Sequence, residues 1–174
     1  MRFELQFREA EIPRWAARVT GNKVDMAREA EAFAQRDGLL EEKGASECLR
    51  KIGKWKSPRR AALLINNCPA DIAEACRIAL ETSSAGCAIA VMQSLRGVGA
   101  PMASAILTVL DKQRYTVIDW RALEALGRSD PKSSFRVYPD YLKACRQIAE
   151  RNNVGLRQLD HALWGWSKYR ANPN

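Results

Sequence analysis

Three short segments of this sequence carry residues that could bind a ligand or take part in catalysis. The first runs from Ser94 to Ala105, where Gly97 and Gly99 flank Val98 between two apolar helical patterns. Glycines permit a tight turn with unshielded backbone N–H groups, beside the positive end of the next helix. Such a turn could bind a DNA phosphate independently of base sequence, with the valine packed into the core. It could equally be an ordinary helix–helix connection with a C-cap glycine.

The second segment, residues 115–123, contains Asp119 after the apolar pair Val117-Ile118. Aspartate at this point is a good N-cap for a new helix. A carboxylate at a helix start is also held in one orientation and is often partly buried, as a reactive carboxylate would be. The two interpretations are compatible, and both stay open.

A third segment, residues 50–60, concentrates six Lys or Arg residues around Trp55. Lys54, Lys56 and Arg59 are candidate phosphate contacts, and the tryptophan could stack on a base or wedge into a duplex. The alternative is a solvated basic turn with Trp55 packed in the core.

We expect structural roles for the other tryptophan, histidine and cysteine residues. Trp164, Trp166 and Lys168 form a second aromatic and basic group, but their apolar helical setting favours core packing. His161 on the same helix is expected to be structural or exposed. The five cysteines are widely spaced and are read as reduced core residues, so a zinc or iron–sulfur site has little support.

Apolar periodicity near 3.6 residues predicts about nine short helices and an all-α fold. Residues 72–80, 88–95, 102–110, 142–149 and 156–166 carry this pattern, with breaks at 36–46, 127–134 and 152–154. We expect one domain over 1–174, with an N-terminal helical segment, 1–50, packed on a unit that contains the hairpin at 85–111.

The net charge of the chain indicates the class of molecule that it could bind. The 174 residues carry a formal charge of +8, which favours a polyanion such as nucleic acid, although a basic surface can also serve solubility alone. No apolar run is long enough to span a membrane and no secretory signal is visible. We therefore expect a cytoplasmic monomer without membrane contact.

The hairpin and the Asp119 segment together resemble the helix-hairpin-helix DNA glycosylases, which include endonuclease III and the alkyladenine glycosylases. Residues 95–105 match the family hairpin, and Asp119, twenty residues after Gly99, matches its aspartate. The sequence departs at Trp120 and Arg121, where the family usually has a small or apolar residue and then histidine. The resemblance covers about residues 57–128.

The resemblance implies a compact glycosylase-like fold and an enzyme that flips a damaged or modified base out of double-stranded DNA. Asp119 would be the catalytic carboxylate, because cleavage of the N-glycosidic bond builds positive charge on the sugar. Such an enzyme could act in DNA repair or in defence against modified phage DNA. The implied DNA contacts are Gly97, Val98, Gly99, Ser104, Lys54, Trp55, Lys56 and Arg59.

Two further expectations follow from the resemblance. The position at which bifunctional members carry a Schiff-base lysine holds Pro101, which predicts a monofunctional enzyme that uses water and has no lyase activity. No cofactor and no iron–sulfur cluster is implied, although the hairpin backbone could bind a monovalent cation. A non-catalytic helix-hairpin-helix DNA-binding module remains the alternative.

Overall fold

The computed structural model describes residues 3–128 and 136–171, and within these ranges the regular structure is entirely helical. The α-helices are α1 (Ile12–Thr20), α2 (Lys23–Phe33), α3 (Ala45–Lys56), α4 (Pro69–Glu81), α5 (Ala85–Gln93), α6 (Ala100–Leu110), α7 (Trp120–Ala125), α8 (Tyr138–Arg151) and α9 (Leu156–Tyr169). Short 3-10 helices span Glu9–Glu11, Asp37–Leu40 and Pro58–Leu64. Over these two ranges, the prediction of an all-α fold with about nine helices is confirmed.

Helix α6 lies at the centre of the core. Every one of its residues except Pro101 is buried, as expected for a helix that is apolar on all sides. Pro101 occupies the first turn, where its missing N–H has no intrahelical partner to lose. Helices α2, α3, α4 and α5 pack against α6, so the two helices that flank the glycine turn are anchored in the core.

The N-terminal and C-terminal parts of the chain meet through α1 and α9, which pack closely together. At their crossing, a Cβ added to Gly165 would lie 2.4 Å from the carbonyl oxygen of Trp15, so only glycine allows this approach. Helix α7 packs on α9 as well. This arrangement brings α9 beside the start of α7, where Asp119 lies.

The cysteine prediction is right in part. Cys48, Cys76 and Cys145 are buried and all five thiols are free, but Cys68 and Cys87 are exposed. Cys68 is the residue before Pro69, at the N-cap of α4, and so it precedes the apolar face of this helix and is not part of it. The described residues contain no group of three or more His, Cys, Asp or Glu side chains that could hold a metal ion.

The predicted break at 152–154 is a turn, whereas the break at 36–46 contains the 3-10 helix Asp37–Leu40. Most of the predicted loop at 127–134 lies outside the described residues. Among residues 3–128 and 136–171, none of the helices combines the length and the apolar character needed to span a bilayer.

Candidate active site

The segment that leads into Asp119 is fixed by hydrogen bonds from two helices. Ile118 donates its backbone N–H to Ser104 Oγ of α6 at 3.0 Å, and the same hydroxyl donates to the carbonyl oxygen of Pro101. From α8, Tyr138 and Tyr141 donate their hydroxyls to the carbonyls of residues 116–117, at 3.1 and 2.7 Å. These bonds satisfy backbone groups that would otherwise be buried without partners.

Ser104 therefore does not fit its predicted role as a DNA contact. It is completely buried, and its hydroxyl is committed to Ile118 and Pro101. Because α6 is buried on all sides, a residue one turn into this helix cannot reach a ligand at the surface. Ser104 instead positions the backbone immediately before Asp119.

Asp119 is the N-cap of α7. Its Oδ1 accepts the backbone N–H of Ala122 at 3.0 Å, which fixes the orientation of the carboxylate. Its Oδ2 accepts a hydrogen bond from Lys56 Nζ at 2.7 Å, and 17 % of the Asp119 side chain is exposed. Burial alone would raise the pKa of Asp119, but the charge and hydrogen bond of Lys56 and the backbone N–H groups of Ala122 and Arg121 hold it below the usual value.

The basic segment predicts a phosphate contact for Lys56, but in the structure this side chain turns towards Asp119. Lys56 is the last residue of α3, only 16 % of its side chain is exposed, and its ammonium pairs with Asp119. Lys54, two residues earlier, is exposed, and so is Arg59, the second residue of the 3-10 helix Pro58–Leu64. These two residues remain available to a polyanion.

A cleft of about 1000 Å³ opens beside the Lys56–Asp119 pair. Its walls come from α2, α3, α9 and the segment before α7, and both Trp55 and Trp164 line it. Trp55 packs edge-on against Phe33, with ring centroids 5.8 Å apart, and it is partly buried against the core, so the core-packing interpretation holds in part. The volume lies at the upper end of the range for small-molecule sites in proteins.

A buried polar cluster forms another part of the cleft wall. Arg157 Nε donates to Glu29 Oε1 at 2.8 Å and its guanidinium also pairs with Asp160, while His161 Nε2 lies 3.0 Å from Glu29 Oε2. Burial raises the pKa of Glu29, but hydrogen bonds from Arg157 and His161 outweigh it and bring the pKa to about 2. For Asp160 burial dominates and its pKa is raised, even though Arg157 is adjacent.

The two C-terminal tryptophans differ in position. Trp164 lines the cleft, and Lys168 Nζ lies 4.3 Å from its ring centroid. Trp166 instead stacks on Phe7, with ring centroids 5.8 Å apart, and packs against the core. The core-packing expectation therefore holds for Trp166, while Trp164 faces the same cleft as Asp119.

The glycine turn connects α5 and α6, and it includes a left-handed backbone conformation, which favours glycine. Gly97 has φ of 79°, and a Cβ at this position would lie 2.8 Å from the Leu63 Cβ and 2.9 Å from the Leu63 carbonyl oxygen. Gly99 has φ of −86°, and the nearest atom to an added Cβ is Pro101 Cδ at 3.9 Å. Val98 is buried, which confirms that it packs into the core.

Asn67 joins the turn to the end of the 3-10 helix Pro58–Leu64. This side chain accepts the backbone N–H of Arg96 at 2.7 Å and donates to the carbonyls of Arg96 and Leu64, both at 2.9 Å. Within the part of the chain that the structure describes, the N–H groups of Gly97 and Gly99 have no protein acceptor. They remain able to bind a phosphate.

Comparisons with protein-family models, with curated proteins and with solved structures find no match to this chain.

Proposed function

We propose that this protein is a DNA glycosylase, which cleaves the N-glycosidic bond of a damaged or modified base flipped out of double-stranded DNA. The observation that carries the proposal is the position of Asp119. This carboxylate is oriented by Ala122 and faces a cleft of about 1000 Å³ lined by two tryptophans. The short sequence resemblance to the helix-hairpin-helix glycosylases agrees with this arrangement.

The charge and the glycine turn support DNA as the macromolecular partner. A net charge of +8 favours phosphate binding through counterion release. The turn, the exposed Arg59 and the exposed Lys54 lie on connected segments, because Asn67 ties the turn to the chain that follows α3. Contacts of this kind hold the backbone of a duplex without reading its sequence.

The cleft supports a flipped base as the ligand. A base inside a duplex cannot be reached, so chemistry at its glycosidic bond requires extrusion into a pocket. Trp55 and Trp164 offer aromatic surface on which an extruded base can stack, and base–aromatic stacking contributes about 1–3 kcal/mol per base. The polar cluster of Glu29 and Arg157 offers hydrogen-bonding groups to the base edge.

The protonation state of Asp119 suits the reaction. Because its pKa lies below the usual value, the group is a carboxylate at neutral pH. As the glycosidic bond breaks, positive charge develops on the deoxyribose, and a fixed carboxylate beside the sugar stabilises that charge. Pro101 provides no amine at the hairpin, so the attacking group has to be water or another side chain.

A second candidate function is a non-catalytic DNA-binding module, and one observation favours it. The hydrogen bond from Ala122 N–H to Asp119 is an N-cap, which would be needed in any protein with this helix. The two functions are separated by incubating the protein with a panel of duplexes, each with one damaged or modified base, and measuring free base by mass spectrometry. A glycosylase releases a base, whereas a binding module releases none.

A further inference from the structure

Aromatic rings and cations alternate along a row of side chains that begins in the cleft. The guanidinium carbon of Arg121 lies 4.2 Å from the ring centroid of Trp120 and 5.5 Å from that of Trp164. Lys168 Nζ lies 4.3 Å from the centroid of the same Trp164 ring. We call Trp120, Arg121, Trp164 and Lys168 the aromatic ridge. It joins the start of α7 to the second half of α9, and Trp164 and Lys168 also line the cleft.

Trp120 is the exposed end of the aromatic ridge. Of the aromatic residues that the structure describes, it is the only one that is largely exposed, with 52 % of its surface accessible. A tryptophan left in water forgoes the stabilisation that its burial would contribute to folding. The ring is nevertheless held in place, because Arg121 stacks on it and donates a hydrogen bond to Ser167 Oγ of α9 at 3.3 Å. The fold therefore presents a fixed aromatic surface to solvent one residue after Asp119.

The charges on the aromatic ridge favour a ligand that is both aromatic and anionic. Arg121 and Lys168 supply two cations, and the carboxylate of Glu124 on α7 is paired with a third cation, Arg170. Every nucleotide of a single strand offers a π-face and a phosphate, and proteins bind such strands with aromatic rings set among cations. A base inside a duplex has both faces covered by its neighbours, so only an unpaired base can stack on Trp120.

We propose that the aromatic ridge binds an unpaired nucleotide of DNA, with its base stacked on Trp120 and its phosphates near Arg121 and Lys168. The protein therefore binds DNA that contains an unpaired nucleotide more tightly than the fully paired duplex. This surface goes beyond the proposed function, because it extends outside the cleft and involves no bond cleavage. Trp164 belongs to both, so the ridge is continuous with the cleft.

The test compares two probes that contain no damaged base: a fully paired duplex, and the same duplex with one additional, unpaired thymidine in one strand. Fluorescence anisotropy of the labelled DNA gives the Kd of each at the same salt concentration. Because one base–aromatic stack is gained, we expect the probe with the unpaired thymidine to bind about tenfold more tightly. Trp120→Ala should remove this difference.

Two control variants and a cross-linking measurement sharpen the test. Trp120→Phe keeps an aromatic face and should retain most of the preference, and Val24→Ala, which removes an exposed side chain of α2, should retain all of it. In the cross-linking measurement, 5-iodouracil replaces the unpaired thymine, and light couples it to an adjacent aromatic side chain. Mass analysis of the peptides from the parent should place the DNA on Trp120, and this result decides the question even if Trp120→Ala does not fold.

Three results would overturn the proposal: equal affinity of the parent for the two probes, a preference that persists in Trp120→Ala, or a cross-link at Trp55 in the cleft with none at Trp120. Base release is measured separately on the modified duplexes. Release of a base by a parent that binds both probes equally refutes the role of the aromatic ridge and upholds the glycosylase. A preference that depends on Trp120, without base release from any duplex, upholds the ridge and contradicts the glycosylase.

Discussion

Replacement of Ser104 by alanine should destabilise the protein although the residue touches no ligand. The change removes the only acceptor that the structure shows for the buried N–H of Ile118 within its described residues, a bond of 3.0 Å. A buried donor left without a partner costs about 1–3 kcal/mol. The carbonyl oxygen of Pro101 also loses the hydrogen bond from the Ser104 hydroxyl, and this loss adds little to the free-energy cost. We therefore expect a loss of about 2 kcal/mol in the free energy of unfolding.

This loss corresponds to a decrease in Tm of roughly 4–8 °C for a domain of this size. Urea denaturation and thermal melting followed by circular dichroism would measure it. Ser94→Ala is the matched control, because Ser94 is exposed and its hydroxyl donates only to the Val91 carbonyl. If Ser104→Ala were as stable as Ser94→Ala but bound DNA more weakly, Ser104 would be a DNA contact. It would then not be the residue that positions the backbone before Asp119.

The glycine turn and the buried cluster give two more predictions. Gly97→Ala should lower Tm, because its φ of 79° and the adjacent Leu63 backbone leave no room for a Cβ, whereas Gly99→Val should keep Tm and weaken duplex binding in a fluorescence titration. Glu29→Gln should lower the stability at pH 7. The folded pKa of about 2, against the usual 4.5, corresponds to about 3 kcal/mol, which is present above pH 4.5 and is lost as the pH falls towards 2. The stability of the parent should therefore decrease more steeply between about pH 5 and pH 3 than that of the variant, as measured by denaturation at each pH.

Control variants and contradicting outcomes can be stated for each of these substitutions. Gly155→Ala adds a Cβ that meets no atom within 4 Å and should change neither Tm nor binding. Glu74→Gln removes an exposed carboxylate that pairs with Arg77 and should leave the pH dependence nearly unchanged. Full DNA affinity in Gly99→Val would show that the turn is not a phosphate site. Parallel pH profiles for Glu29→Gln and the parent would show that Glu29 is not held ionised by Arg157.

Features formed by residues that are close together in the chain could be predicted from the sequence. Helical periodicity predicted α4, α5, α6, α8 and α9, because each has an apolar face that repeats every three or four residues. The turn at 97–99 and the N-cap at Asp119 also follow from residues that are neighbours in the chain. The structure confirms the all-α class to which these patterns point.

The contacts that build the cleft depend on residues far apart in the chain. Lys56 and Asp119 are 63 positions apart, and Glu29 and Arg157 are 128 apart. The basic segment around Lys56 suggested a surface of equivalent cations, whereas the end of α3 turns this one side chain inward to a carboxylate. No pattern in a single sequence specifies such a pairing, because it depends on how helices pack.

The role of Asp119 in base excision is tested by base release from the parent and from Asp119→Asn on the same panel of modified duplexes. The amide oxygen of asparagine can still accept the N–H of Ala122, so the helix start and the binding of DNA should be retained. We predict that the parent releases a free base from at least one duplex and that the variant releases it about 100-fold more slowly or not at all. Equal rates for the two proteins would contradict the role of Asp119, and no release by the parent would contradict the glycosylase itself.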